Sequence, residues 1–597
     1  MFSQQNIRSI LQDTINLDEV VVTGTTVKVN RRNVPMSVSV INNLQIAESN
    51  ESAILPVLNG RVPGLFVTER GIMGFGVASN AAGQISIRGI GGSPTTGVLM
   101  LLDGHPQFMG IFGHPLPDSY ISSDVERVEV IRGPGSILYG SNAMGGVINI
   151  ITKKQTKEGF NSNAHIMYGS YNTQKYMAST GYKKNRLSLF TSINHDQTDG
   201  HRTNSDFSIT NGYLKMTYKI NENVQAYTDF SMAHFKATDP GPDTINAVPG
   251  SSLDITRGYW AFTIDNNYDK YSGTAKIFYN FGEHKISDGF HSTDENWGLN
   301  IFESIKLFRG NNITLGADYL TYGGRAENEL AINGQGMLFK DTTLYDAGIY
   351  GFVQQEVFNK LTFNAGLRMQ NHQVYGREWI PAGGFSFKIT RGTTLKASIS
   401  KGFRSPTIRE LYIWNHNENL SPEIIMSYEA GILQSFFDHK LKLELTGYII
   451  KGDNLIINIP MVGLENAGEV VNKGIEFAAN SNPFKNMGIN LTYSYIDMIS
   501  PVYATPKHHL FISGNYILNK LQFMTSIQHV NHIDTDPSEK VSFQSYTLVS
   551  SKISYKAWKY AQFFFSAENI LNQKYENNLY YPLPRITVFT GVKFNLK

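Results

Sequence analysis

Residues 361–369 read LTFNAGLRM, and the alternation inside this stretch decides the fold. Leu361, Phe363, Ala365, Leu367 and Met369 place an apolar side chain at every second position, while Thr362, Asn364 and Arg368 occupy the other register. A period of two marks a strand with one apolar and one polar face. The same period returns in Leu441, Leu443, Leu445 and Ile449 against Lys442, Glu444 and Thr446, and in Ile489, Leu491, Tyr493 and Tyr495 against Asn490, Thr492 and Ser494.

Outward from these segments, the chain beyond about residue 160 keeps the pattern to its end, in strands of roughly ten residues. Tight turns rich in Asn, Gly, Lys and Asp fall near 183–185, 221–223, 269–271, 309–312, 358–360, 391–393, 438–440, 484–486, 518–520 and 556–559. Longer loops alternate with them, near 169–174, 197–210, 235–258, 282–296, 323–344, 371–380, 403–427, 452–472, 498–505, 530–544 and 571–585. Ten turns and eleven loops join 22 strands. Short connections on one side and long ones on the other are the pattern of an outer-membrane barrel. Such strands must close, because an open edge in lipid leaves backbone groups without partners. A soluble propeller or sandwich also offers many short strands, but no blade repeat is visible and the connections are very unequal. A barrel this wide needs a plug. The first 155 residues, with short β-like runs such as 84–88 and Val98–Leu102 and no long alternation, suit one.

The expected fold is therefore an all-β transmembrane barrel of 22 antiparallel strands closed around an N-terminal α+β plug domain. The tail spans residues 1–25, the plug 26–155 and the barrel 160–597.

Composition agrees. Charged residues make up 17% of the 597, against roughly 25% in soluble domains, as expected where half of each strand faces lipid. The balance of 52 basic against 50 acidic side chains offers no field for gathering nucleic acid. With no cysteine, disulfides and thiolate chemistry are excluded. No apolar run approaches the length of a membrane helix. The first seventeen residues, MFSQQNIRSILQDTINL, carry no apolar core of a secretion signal. An exported protein would then have its start upstream or removed.

Residues 18–24 read DEVVVTG, a β-prone run in a polar tail, open to capture by a partner sheet through main-chain hydrogen bonds. Residues 125–152 read VERVEVIRGPGSILYGSNAMGGVINIIT, with ISIRGIGG at 85–92 and VLMLLDGHP at 98–106. These stretches strongly resemble the plug of TonB-dependent outer-membrane receptors, and DEVVVTG resembles that family's TonB box. The resemblance covers the whole chain: box, plug, then a 22-strand barrel with a near-terminal aromatic, Phe594. It implies active import across the outer membrane of a Gram-negative bacterium. Ligand binds the outer loops and plug apex, the box becomes available below, and TonB, energised by an inner-membrane complex, pulls on it. Asp18, Glu19, Val20, Val21, Val22, Thr23 and Gly24 would make the TonB contact. Gly133, Gly135, Gly140, Gly145 and Gly146 suit tight plug turns. Arg88 and Arg132 are expected to fork onto barrel carboxylates in the lumen. A signalling subtype would carry a further domain before the box, and 17 residues precede Asp18.

Residues 403–427 read FRSPTIRELYIWNHNENLSPEIIMS, resembling the FRAP and NPNL pair of haem receptors at 403–406 and 417–420. That branch uses a histidine between the two as an axial iron ligand and a second from the plug apex, which points to His416 with His105 or His114. NENL lacks the proline, the interval is short, and related signatures occur in cobalamin and siderophore receptors. Residues 103–118, DGHPQFMGIFGHPLPD, are expected at the apex, with His105, Gln107, Met109, Phe112 and His114 toward the ligand. Histidine with methionine also suits copper. Tyr412 and Trp414 are candidate stacking residues, and Trp260, Trp297 and Trp379 suit a membrane-interface girdle.

The leading expectation is import of a scarce iron chelate, siderophore or haem, ahead of cobalamin, another vitamin or copper. A passive porin or adhesin lies behind these. Absence of a G-x-S-x-G elbow, a phosphate-binding loop or H-E-x-x-H leaves no reaction proposed, so no enzyme and no resident cofactor are expected. Expected partners are TonB, a small-molecule chelate, outer-membrane lipid and a surface lipoprotein, with no nucleic acid.

Overall fold

In the computed structural model, the structure describes residues 20–25, 29–69, 71–74, 83–92, 95–244, 250–330, 336–459, 461–499, 502–536 and 542–596. The barrel begins with Gly159–Gly169 and ends with Thr587–Leu596. Its 22 strands follow chain order around the wall, each antiparallel to the next, and the last pairs with the first through Ala164 and Phe594. No helix among the described residues is long and apolar enough to cross a membrane, and the closed ladder leaves no edge strand.

The alternation at 361–369 becomes geometry in the strand Leu361–His372. Thr362, Asn364 and Arg368 are buried toward the lumen, while Phe363 and Leu367 are exposed on the lipid side. All ten tight turns fall between strands as read from the sequence. Three expected loops do not exist as loops. Residues 282–296, 371–380 and 452–472 are mostly strand: the first two lie in hairpins whose tips are only 287–289 and 373–375, and in the third the strands run to Ile459 and start again at Gly463. His284 pairs with Ser292, and Asn458 with Leu464. Above the lipid both faces of a hairpin meet water or the lumen, so apolar alternation stops there while the hydrogen-bonded ladder continues.

Inside, the plug is built on a five-stranded sheet in the order Ser37–Asn42, Val125–Arg132, Gly146–Thr152, Val98–Leu102, His105–Pro106. A three-stranded sheet, Leu65–Val67 with Ile85–Ile87 and Ile90–Gly92, and the helix Ile54–Leu58 complete its core. Leu55, Leu65, Ile87, Val130 and Ile148 are all fully buried there. The short helix Ser136–Tyr139 ends at Gly140, whose φ of 71° a side chain tolerates poorly. A Cβ at that position would stand 2.9 Å from the Arg368 guanidinium of the wall.

Candidate functional site

Three places along the barrel axis carry chemistry: an aromatic vestibule outside, an ionic anchor in the lumen, and a docked segment near the short-turn end.

The vestibule forms where the plug apex meets the outer loops. Arg404, at the end of the strand Thr393–Arg404, pairs with Glu423 at 2.5 Å and with Glu410 at 2.8 Å, which folds loop 405–422 back on itself. Thr407 caps the helix Ile408–Tyr412: its hydroxyl accepts from the Glu410 amide while the Glu410 carboxylate accepts from the Thr407 amide. Burial pushes the Glu410 carboxyl up, but the Arg404 guanidinium and the donors of Thr407 more than reverse this, and its pKa is lowered overall. The Arg409 amide donates to the Ile111 carbonyl at 2.9 Å, tying this helix to the plug apex. The FR-P motif thus acts by folding the loop and seating it on the plug.

Beyond the helix, Trp414 stands in left-handed backbone at φ 41°, a strained conformation that presents the indole at 43% exposure. Its ring lies 5.0 Å from Phe290, 5.6 Å from Phe339 and 6.1 Å from Phe112 of the plug. Lys340 places its ammonium 3.9 Å from the Tyr412 ring. Phe112, His114, Tyr412 and Trp414, read from the sequence, therefore gather with Phe290, Phe339 and His284 of the wall. Nothing in the sequence marks those three, because each sits in a strand end like many others. The His114 Nδ1 donates to the Pro115 carbonyl at 2.9 Å. Burial, partly opposed by that carbonyl, lowers its pKa.

Three expected apex residues point elsewhere. His105 is fully buried between Tyr259 and Phe278, with ring centroids 5.0 and 5.1 Å away. Gln107 donates to Asn280 at 3.1 Å, and Met109 packs in a cluster with Phe207 and Phe235. The cause is local: His105 and Pro106 pair back onto Leu102 and Leu101, which turns this part of the segment against the wall instead of toward the vestibule. His416 is exposed on the outer loop, and the sealed position of His105 excludes it as the second imidazole on one metal. Trp297 and Trp379 are exposed on the lipid side, Trp297 stacked on Tyr279 at 4.3 Å. Trp260 is cross-strand to Tyr279 in the same row and hydrogen-bonds Thr228.

In the lumen, Arg88 forks onto Glu476 and reaches Glu429, and Arg132 joins Glu476 and Glu444, with Arg31 on the far side of Glu444. These six groups, three plug arginines and three wall glutamates, come from segments far apart in sequence, so the network fixes the plug to one side of the wall.

Near the short turns, Val20 and Val21 pair antiparallel with Asn30 and Val29. Val21 and Thr23 are fully buried, and Gly24 is buried with them. This corrects the reading of an open tail: in the described part, the segment is docked. One oxygen of Glu129 accepts from the Val22 amide, the Thr23 amide and the Thr23 hydroxyl, at 2.9, 2.9 and 2.7 Å. Asn149 donates to the Thr23 hydroxyl, and Tyr139 to the Thr23 carbonyl, both at 3.0 Å. Asp18 and Glu19 lie outside the described residues.

Comparison with known proteins agrees with this architecture. Residues 30–147 match the TonB-dependent receptor plug domain, and residues 235–570, more than half of the chain, match the TonB-dependent receptor-like β-barrel. The siderophore receptor PiuA from Acinetobacter baumannii superposes with a TM-score of 0.81 at 16% identity, over 98% of this chain and 100% of that one. The ferripyoverdine receptor of Pseudomonas aeruginosa gives 0.80 at 14% identity over 97% and 89%. A variant of the ferric enterobactin receptor from the same organism gives 0.76 at 17% identity over 94% and 98%. At such identities the likeness speaks to fold, and the matched plug and barrel families speak to kinship: the chain belongs to the TonB-dependent receptors of the outer membrane, a family of transport receptors and not of enzymes.

Proposed function

We propose that this receptor imports an iron chelate, a siderophore complex ahead of haem, into a Gram-negative bacterium. The observation that carries this reading is the vestibule. Phe112 of the plug and Trp414 of the outer loop approach each other to 6.1 Å around Phe290, with the Lys340 ammonium over Tyr412 beside them. A flat or aromatic chelate stacks on such rings, and one ammonium favours a ligand carrying negative charge. The three related receptors named above are, by their own descriptions, receptors for iron-binding siderophores or their complexes. The plug apex forms the floor of this site, so occupancy is felt by the domain that holds the box.

On this reading residues 18–24 are the TonB contact. Strand addition needs the edge of Val20 and Val21, which Asn30 and Val29 occupy in the docked form. TonB therefore captures the segment only after Glu129 and Tyr139 let go of Thr23.

The test is binding of the purified protein to a ferric catecholate, a ferric hydroxamate, haem and cobalamin in parallel by titration calorimetry. Tight binding of an iron chelate that Trp414→Ala weakens supports the assignment. Tight binding of cobalamin alone overturns it.

A further inference from the structure

The ten short connections between strands, 185–186, 220–223, 268–270, 306–310, 358–360, 389–392, 437–440, 482–486, 519–520 and 557–560, form one rim of the barrel. They hold ten lysines and arginines against three carboxylates, Glu222, Asp269 and Asp438. That excess of seven stands in a chain whose net charge is +2, so the rest of the chain is acidic on balance. All ten cations are exposed, and among the described residues none has a carboxylate within ion-pair distance. Exposed cations toward the long-loop end differ. Lys236 pairs with Asp254, Lys285 with Glu283 and Arg325 with Glu327, at 3.3, 2.8 and 2.7 Å.

A turn in water also favours lysine, but it does not favour what stands beside these cations. Phe358, Phe437, Phe484 and Trp558 lie in four of the turns at 90, 75, 71 and 65% exposure. Phe358 and Phe437 are moreover in left-handed backbone, both at φ 54°, where Asn or Gly is at ease and a bulky ring is strained. Facing water, the exposed ring and the strain are both unfavourable. Against a lipid surface the ring enters the boundary between headgroups and acyl chains, and the neighbouring cation reaches the phosphates.

We propose that this rim is a collar that binds anionic glycerophospholipid headgroups, of the phosphatidylglycerol kind, in the leaflet on the short-turn side. The apolar turns set its depth, and the cations prefer headgroups of net negative charge to zwitterionic ones. The inference goes beyond the transport reading and holds whichever cargo is carried.

The test places the full chain in phosphatidylcholine bilayers carrying a trace of spin-labelled phosphatidylglycerol or spin-labelled phosphatidylcholine, with folding checked by the heat-modifiable gel mobility of the barrel. The wild type is expected to immobilise the anionic probe roughly two- to fivefold in preference to the zwitterionic one. The preference should vanish in about 1 M potassium chloride, where charges are screened within a few ångströms. Lys270→Gln, Arg309→Gln and Lys360→Gln together should remove much of it, while Lys236→Gln, Lys285→Gln and Arg325→Gln together should leave it unchanged. The salt comparison needs no variant, so it stands even if a triple variant does not fold. The chain has no cysteine of its own, so a spin label at Phe358→Cys reports the rim alone. That label should collide more with oxygen than with a water-soluble nickel chelate, as in lipid. Equal immobilisation of the two probes, a preference that survives salt, equal loss in the long-loop triple variant, or a Phe358→Cys label open to the nickel chelate would each overturn the proposal. Binding of the folded wild type to peptidoglycan without any lipid preference would overturn it in favour of that polymer.

Discussion

Arg88 and Glu476 form a forked ion pair in the middle of the barrel: Nε donates to one carboxylate oxygen and Nη2 to the other, each at 2.8 Å, with neither side chain more than 1% exposed. Removing one partner of such a pair leaves a buried charge and costs about 3–5 kcal/mol. Arg88→Ala should therefore let protease reach the plug at a clearly lower urea concentration than wild type, with the barrel still folded. Arg88→Lys, which keeps the charge without the fork, should fall between. An unchanged urea midpoint in Arg88→Ala would remove the pair from plug anchoring.

Glu129 gathers three hydrogen bonds from the box on one oxygen. Hydrogen bonds to a charged acceptor contribute about 1.5–3 kcal/mol. Glu129→Gln should raise the undocked fraction of the box roughly 10- to 100-fold at 1.4 kcal/mol per decade. A spin label at Val20→Cys reads this as a mobile spectrum without ligand; a spectrum matching the docked wild type would contradict it.

Trp414 is the exposed end of the aromatic cluster, and tryptophan in such a position typically dominates binding energy. Trp414→Ala should weaken chelate binding by about tenfold or more, measured by calorimetry. His416→Ala should leave both affinity and any haem absorbance unchanged, since His416 faces solvent beyond the cluster.

The loop over the vestibule should have an acid limit. The Glu410 pKa is lowered from its usual 4.5, so its contribution is fully present above that value and is lost as pH falls through the folded one. Chelate binding should hold from neutral pH down to about 5 and decline in more acid buffer. Glu410→Gln should bind more weakly at neutral pH and lose that part of the acid dependence.

How much of this was legible in the sequence differs by element. Strand count and all ten turns follow from alternation, because lipid on one side and lumen on the other impose it residue by residue. Hairpin length above the membrane does not, since Ser292 and Asn458 lie in ladders with no apolar face to reveal them. Arg88 and Arg132 stand out by motif. Their partners Glu429, Glu444 and Glu476 do not, because only barrel closure brings those strands to the plug. Phe112, His114, Tyr412 and Trp414 are readable from two loops. His105 misleads, because its two-residue pairing onto Leu101 and Leu102 turns it to the wall.

The central claim is that cargo enters by TonB acting on residues 18–24. Its most direct test is uptake of radiolabelled ferric catecholate, ferric hydroxamate and haem by cells carrying either the full receptor or one lacking those residues. Surface binding of the imported chelate should be equal in the two strains, and accumulation should vanish in the deleted one. Continued accumulation without residues 18–24 would contradict the account.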